Sequence, residues 1–282
     1  MFVEGKRFYN HVLNIHQNNI SLKDINTTKI KSVDYLTKDK KKVSYKLDVI
    51  GSQMKQSIIT RMILNEKTIM TLVKKGLQKH GNLKFKSELI CIPLKQYGTT
   101  YKFKSFNKVK IQGISGRILL RTGNQLQIAD ELANANLISK PDGYYLKVTA
   151  FINKENWKEA KKNGKEIGLD FGIKTSITTS EGEKLDVQVE ESERLKKLQR
   201  EMFRRVKGSS NRHKTIKLIQ REYQKLSNKN QDKANKIVSK LKQYDRIYMQ
   251  DEQIANWQKG RFGKQVQHSC MGAVKAKLKA LP

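Results

Sequence analysis

The stretch Ile167-Gly168-Leu169-Asp170-Phe171-Gly172-Ile173-Lys174 places one acidic residue inside an apolar strand, between two glycines. Its composition predicts a β-strand over Glu166–Phe171. A lone carboxylate in a sheet is costly to bury unless it is paired or binds a cation. The glycines remove side chains on both sides, so a phosphate backbone and a hydrated metal can come close. Two interpretations of Asp170 follow: a tight turn after the strand, or a magnesium ligand.

A second acidic segment, Arg246-Ile247-Tyr248-Met249-Gln250-Asp251-Glu252, predicts a buried strand that ends in carboxylates. Gln250 and Glu252 share one face because strand side chains alternate, and Asp251 points the other way. Two strand-borne carboxylates that meet across a sheet can hold the paired metals of phosphodiester hydrolysis. The other interpretation of Asp251 and Glu252 is a helix N-terminus, where the dipole favours acids.

Around these segments the chain predicts an α+β protein of several domains. Residues up to about 81 read as helical, and residues 83–153 hold five short candidate strands that suggest a small β-barrel. Residues 192–243 predict a helical hairpin with two narrow apolar stripes and otherwise basic faces. The other expected elements are a helical piece near Asp130–Asn136, strands at Ile173–Thr179 and Lys184–Val189, and a Lys-rich helix around Lys264–Lys279.

Charge favours a nucleic-acid partner. Lys and Arg number 58 against 26 Asp and Glu, a formal net charge of +32, which a polyanion would neutralise. The sequence shows no apolar run long enough to span a bilayer, no signal peptide and no lipidation motif, so we expect no membrane partner. Cys91 and Cys270 are far apart, which gives no disulfide framework or zinc knuckle and favours a reducing, cytoplasmic location. A plain basic, RNA-binding structural protein stays an alternative.

Two regions are candidates for nucleic-acid contact. In the strand-rich part, aromatic residues interleave with lysines, a composition suited to backbone contacts and base stacking. The helical hairpin is either a solvated antiparallel coiled coil or a basic arm that lies on a duplex. The residues that we expect to contact nucleic acid are Lys174, Lys95, Lys108, Lys110, Tyr97, Arg204, Arg205 and Arg212.

At this point the chain resembles a known family. Gly168–Lys174 resembles the first motif of the RuvC-like domain in the TnpB/OrfB family, the transposon-encoded RNA-guided nucleases related to type V CRISPR effectors. Cys91–Lys95, Lys108–Gln112 and Lys140–Tyr145 resemble that family's wedge barrel and the hairpin ahead of its nuclease domain. Arg7–Asn10 is similar to the start of its recognition helices.

The resemblance implies three regions: a helical, recognition-like part over 1–82, a wedge-like β-barrel over 83–155, and an RNase H-like (RuvC) domain over 156–282 with the insertion 192–243. It also implies a guide RNA, a DNA target, association with the prokaryotic nucleoid, and Mg²⁺- or Mn²⁺-dependent cleavage. Asp170 matches the first catalytic, metal-binding Asp. An ungapped match puts Gln250 at the second acid, so we expect Glu252, on the same face, to supply it; Asp251, or neither, stays open.

By this resemblance the family's zinc ribbon and third catalytic Asp would lie beyond Pro282, and its first wedge strands ahead of Met1. We therefore expect a piece truncated at both ends, with an incomplete RuvC-like sheet and no zinc site of its own. The expected function is an RNA-guided, metal-dependent DNA endonuclease of insertion-sequence origin. The alternative is a nuclease-dead RNA-guided DNA-binding protein, a repressor or a relic.

Overall fold

The computed structural model describes residues 1–36, 39, 41–79, 81–121, 126–127, 129–156, 162–172, 176–251 and 253–281. The chain divides into two compact units, Met1–Trp157 and Lys158–Pro282. Several small sheets and seven α-helices make up the described residues, which confirms the α+β class. Among them no helix is long and apolar enough to cross a membrane.

The first unit begins with helix α1 (Phe2–Gln17), a hairpin of β1 (Ser32–Leu36) and β2 (Lys42–Lys46), and helix α2 (Ser52–Lys74). The expectation that residues up to about 81 are helical, as an N-terminal helical bundle, is therefore wrong, because the β1–β2 hairpin lies between the two helices. The hairpin has a physical cause, since β-branched and aromatic residues alternate with polar ones along both strands. The guanidinium of Arg7 lies between the rings of Tyr35 and Tyr45, 4.3 and 3.9 Å from their centroids.

Two separate three-stranded antiparallel sheets follow. One has the order β3 (Cys91–Leu94), β7 (Glu131–Lys140), β8 (Gly143–Phe151), and the other has β4 (Tyr101–Ser105), β5 (Lys108–Ile111), β6 (Ile118–Leu119). The described strands do not close into a barrel, so the barrel prediction is wrong. The helix predicted near Asp130–Asn136 is also wrong, because β7 pairs with β3 on one side and β8 on the other. A 3-10 turn at Lys154–Asn156 ends this part.

One core joins α1, α2, the β1–β2 hairpin and both three-stranded sheets of the first unit. Phe8, Met54 and Met62 are fully buried in it, together with Ile92 of β3. Glu4 is the buried acid of this core, 4% exposed, and its carboxylate accepts from the backbone N–H groups of Val49 (2.8 Å), Ile50 (3.1 Å) and Asp48 (3.3 Å). These bonds replace the hydration that the carboxylate loses on burial.

The second unit contains a four-stranded mixed sheet in the order β11 (Lys184–Asp186), β10 (Ser176–Thr179), β9 (Glu166–Phe171), β12 (Arg246–Met249). Strands β9, β10 and β11 are antiparallel neighbours, and β12 is parallel to β9. Ile167, Leu169 and Phe171 face a core that the C-terminal half of helix α4 (Ser210–Leu241) and helix α7 (Met271–Lys279) cover. The opposite face of β9, with Glu166 and Asp170, is exposed.

The predicted helical hairpin is present as α3 (Glu193–Arg204) and the first half of α4. Its own small core consists of Leu195, Leu198 and Ile219, with Met202 and Leu218 packed against it. After β12 come two short helices, α5 (Ile254–Trp257) and α6 (Gly263–Gln267), and then α7. The single helix predicted around Lys264–Lys279 is thus two helices. They are separated where Ser269 forms an isolated β-bridge with Gln188.

Candidate metal site and nucleic-acid surfaces

Asp170 lies on the solvent-exposed face of β9, one residue before the strand ends. Its neighbours in the sheet are Thr178 of β10, its registered partner, and the end of β12. The alternation of the strand explains the exposure, because the residues on either side of Asp170 face the core. The carboxylate therefore stands on an open surface that a cation and a phosphate backbone can reach.

The register between β9 and β12 identifies the residue beside Asp170. Tyr248 pairs with Gly168 and Met249 pairs with Leu169, so continuing the parallel register by one residue brings Gln250 alongside Asp170. Gln250 is exposed, as Asp170 is. The residue that follows the last registered pair of β12 is therefore an amide and not a carboxylate.

The other two acids of this segment have different surroundings. Asp251 is held by Lys279 of α7, with Nζ 2.8 Å from Oδ1, and this bond lowers the pKa of the Asp251 carboxyl. Glu252, our predicted second acid and metal ligand, lies outside the described residues, as does Lys174.

The end of β12 is fixed from α7. The ammonium of Lys275, 7% exposed, donates to the backbone carbonyl of Gln250 over 2.8 Å and lies 5.7 Å from the centroid of the Phe171 ring. Gln250 and Asp251, the two residues that follow β12, are therefore each bonded to a lysine of α7, and these two lysines lie one helical turn apart. Sequence reasoning did not identify Lys275, because a lysine in a Lys-rich helix gives no sign that it is buried.

A second acid on the open face is already engaged. Glu166 accepts from the Tyr248 hydroxyl at 3.0 Å, and the guanidinium of Arg246 lies 3.3 Å from its other oxygen. It is also four residues back along β9, about 13 Å from Asp170 at the usual rise per residue. Within the described residues no three His, Cys, Asp or Glu side chains come together as a metal site. Asp170 therefore offers a single carboxylate to a metal.

The predicted nucleic-acid residues of the first unit lie on one side of the β4–β5–β6 sheet and in the loop before it. Lys108 and Lys110 are exposed on β5, while Val109 and Ile111 between and after them are buried. Lys102 of β4, which sequence reasoning missed, is directly opposite Lys110. Like charges placed opposite each other destabilise a sheet, so this pair favours an anion above it.

Lys95 is exposed in the loop after β3. Tyr97 is partly buried, and its ring lies edge-on to that of Tyr101 with centroids 5.3 Å apart. The ring of Tyr97 therefore packs against the core of this sheet, and its remaining exposed surface is what a base could contact.

In the hairpin, two of the three predicted arginines hold the turn. Arg212 donates to the backbone carbonyls of Met202 (2.6 Å) and Arg205 (3.1 Å), and Arg205 donates to the carbonyl of Asn211 (2.6 Å). Arg204 is exposed at the end of α3.

Comparison with known proteins bears out the resemblance. Residues 147–256 match the family model OrfB_IS605, described as "Probable transposase". A "Putative RNA-guided DNA endonuclease" of Streptomyces pristinaespiralis is 30% identical over 94 residues, 32% of this chain and 23% of that protein. A "Putative RNA-guided DNA endonuclease InsQ" of Escherichia coli (strain K12) is 25% identical over 179 residues, 60% of this chain and 44% of that protein.

The chain thus spans less than half the length of either relative. The matched segment contains β9 and β12, and with them Asp170 and Gln250. Residues 147–256 of this chain are thus similar to the OrfB_IS605 family of probable transposases.

Proposed function

We propose that this chain acts as an RNA-guided, metal-dependent DNA endonuclease of insertion-sequence origin, with Asp170 as a metal ligand. The observation that carries the proposal is the position of Asp170, on the open face of the central strand of a mixed sheet, within the segment that matches the family. The names of two relatives, each a putative RNA-guided DNA endonuclease, and the net charge of +32 support it.

The partners in this proposal are a guide RNA and a DNA target. Base pairing with the guide reads the target sequence, and the protein contacts backbone and shape. In this proposal the second unit is an RNase H-like domain, and the protein acts in the cytoplasm at the nucleoid. The lysine-rich face of the β4–β5–β6 sheet is the expected backbone contact of the first unit.

The residues present suit a metal only in part. Mg²⁺ is commonly bound by one or two carboxylates together with phosphate oxygens, and Asp170 provides one. When bound, the metal supplies an activated water or stabilises the leaving oxygen. The protein's own contribution is to hold the Asp170 carboxylate on the open face and to fix the end of β12 beside it through Lys275 and Lys279.

A second candidate is a nuclease-dead RNA-guided DNA-binding protein. Gln250 favours it, because an amide beside Asp170 gives the site no second charge. Such a protein still binds guide and target, since those contacts come from cations elsewhere in the chain. The two candidates differ only in cleavage.

The test begins by expressing the coding sequence together with the transcribed DNA that flanks it. The RNA that co-purifies with the protein is then sequenced. DNA complementary to that RNA is then incubated with the complex in Mg²⁺ or Mn²⁺. Cleavage that Asp170→Ala abolishes, with RNA and DNA binding kept, supports the endonuclease. Asp232→Ala, an exposed acid of α4 paired with Lys236, is the matched control and leaves cleavage unchanged.

Guide-dependent DNA binding without cleavage in either metal supports the second candidate. If the chain retains RNA but shows no guide-dependent DNA binding, both candidates fail, and the alternative of a plain RNA-binding structural protein stands.

A further inference from the structure

The turn of the helical hairpin exposes two apolar side chains. Phe203, at the end of α3, is 78% exposed, and Val206, in the turn, is 76% exposed. The helical period explains this, because Leu195, Leu198 and Met202 already occupy the face of α3 that packs on α4. An aromatic ring with three quarters of its surface in water has no part in the hairpin core.

The backbone that carries this ring is held in one conformation. Arg212 and Arg205 donate to three carbonyls of the turn, and Ser209 caps α4 through the backbone N–H of Arg212. Gly208 has φ +81°, a conformation that favours glycine. The backbone beside Phe203 is thus fixed by hydrogen bonds, which lowers the entropy cost of binding a ligand to the ring.

The surroundings of the ring are strongly cationic. We define the hairpin tip as residues 200–217, which contain seven Lys or Arg and one acid, Glu201. Glu201 is paired with Arg205. The exposed cations of the tip are Arg200, Arg204, Lys207, Lys214 and Lys217. An exposed aromatic ring among cations suits a polyanion that also carries flat, stackable groups.

We propose that Phe203 is a base-stacking residue, and that the hairpin tip binds single-stranded nucleic acid. The ring stacks on an unpaired base while the cations of the tip contact neighbouring phosphates. Single strands fit better than an intact duplex, because their bases are free to lie on a protein ring. The inference rests on the proposed function only in taking nucleic acid as the partner. It adds that the nucleic acid at the tip is single-stranded and that Phe203 contacts it.

The test uses the purified full chain and a fluorescently labelled single strand of about 20 nucleotides. Phe203→Ala is expected to weaken binding about five- to 150-fold, the loss of one stacked base. Phe203→Trp, which keeps a stacking ring, is expected to bind as well as the parent chain. Phe203→Leu keeps an apolar side chain without a ring and should behave like the alanine variant.

The matched control is Phe151→Ala. Phe151 is also an exposed ring, 54% exposed, but it lies opposite the acid Glu131 on β7, so its removal should leave affinity unchanged. The salt dependence provides a second readout. Phe203→Ala should keep the slope of log affinity against log salt, whereas Arg204→Gln should reduce it by about one.

Equal binding by Phe203→Ala and Phe151→Ala would overturn the inference, and so would full binding by Phe203→Leu. Selective loss of binding to anionic phospholipid vesicles, with oligonucleotide binding kept, would assign the tip to a membrane surface instead. If the parent chain binds no nucleic acid at all, the proposed function fails. If the parent binds and Phe203→Ala binds equally well, only this inference fails.

Discussion

Replacing Gln250 by Glu puts a second carboxylate beside Asp170. Both residues are exposed, and each directly follows the last registered pair between β12 and β9, Met249 with Leu169, so extending that register by one residue pairs them. In the absence of metal the two negative charges repel each other, and a divalent cation that bridges them removes the repulsion. The substitution is therefore expected to lower the thermal stability of the metal-free chain and to make that stability respond to Mn²⁺.

The size of both effects follows from the sheet geometry. Neighbouring strands lie about 4.8 Å apart, so two unit charges at this spacing repel by about 0.9 kcal/mol in water and about 3.5 kcal/mol at an effective dielectric of 20. Because both side chains are exposed, we expect about 1 kcal/mol, or roughly 3–5 °C in Tm for a unit of this size. Mn²⁺ at about 100 times its Kd adds about 2.7 kcal/mol.

The assay is thermal unfolding of Gln250→Glu and of the parent chain, with EDTA and across a Mn²⁺ titration. In EDTA the Tm of Gln250→Glu should be lower than that of the parent chain. As the Mn²⁺ concentration increases, the Tm of this variant should rise above that of the parent. The double variant Asp170→Asn, Gln250→Glu is the control and should show neither effect. Parallel titration curves for Gln250→Glu and this double variant would show that residue 250 does not lie beside Asp170, and the reasoning from the strand register would then be refuted.

Three further predictions concern side chains that stabilise the inside of one unit or the other. Glu4→Ala removes the buried carboxylate that accepts from the backbone N–H groups of Asp48, Val49 and Ile50. It should cost about 3–5 kcal/mol in urea unfolding, and equal stability of parent and variant would contradict this. Burial raises the pKa of Tyr101 from 10.0 to about 12. The neutral phenol therefore stabilises the fold fully below pH 10, and this contribution is lost as pH rises from 10 to 12. The ionisation of Tyr101 is measured as the difference in phenolate absorbance between the parent chain and Tyr101→Phe. Arg212→Met removes the two bonds to the carbonyls of Met202 and Arg205 and should speed hydrogen exchange in the hairpin turn by about five- to tenfold, a loss of about 1 kcal/mol, while exchange in β9 stays slow.

Elements whose pattern is local were predicted well. The bounds of β9 agree with the prediction because its apolar residues face one core and its polar residues face water. The helical hairpin was predicted for a similar reason, since its turn carries Gly208 between two segments with separate apolar stripes. Neither element needs knowledge of its partner to be recognised.

Elements whose state depends on distant partners were not. Strand β7 contains Leu132, Ala133 and Ala135, residues with no strand preference, and it is extended because strands on both sides pair with it. The β1–β2 hairpin is a different case. Val33 and Tyr35 alternate with polar residues, which is a strand pattern, but the helical pattern of the segments on either side led to a helical prediction for the whole region.

The same distinction applies to the candidate site. Asp170 was identified from its own strand, because a carboxylate among apolar residues is unusual wherever the strand pairs. For its neighbour the sequence left Gln250, Asp251 and Glu252 open, since the sequence alone does not fix the register between two strands more than 70 residues apart. Strand β12 settles that register by placing Met249 beside Leu169. A shift of β12 by two residues would bring Glu252 instead of Gln250 to Asp170, so the choice between a nuclease and a nuclease-dead binding protein depends on this pairing.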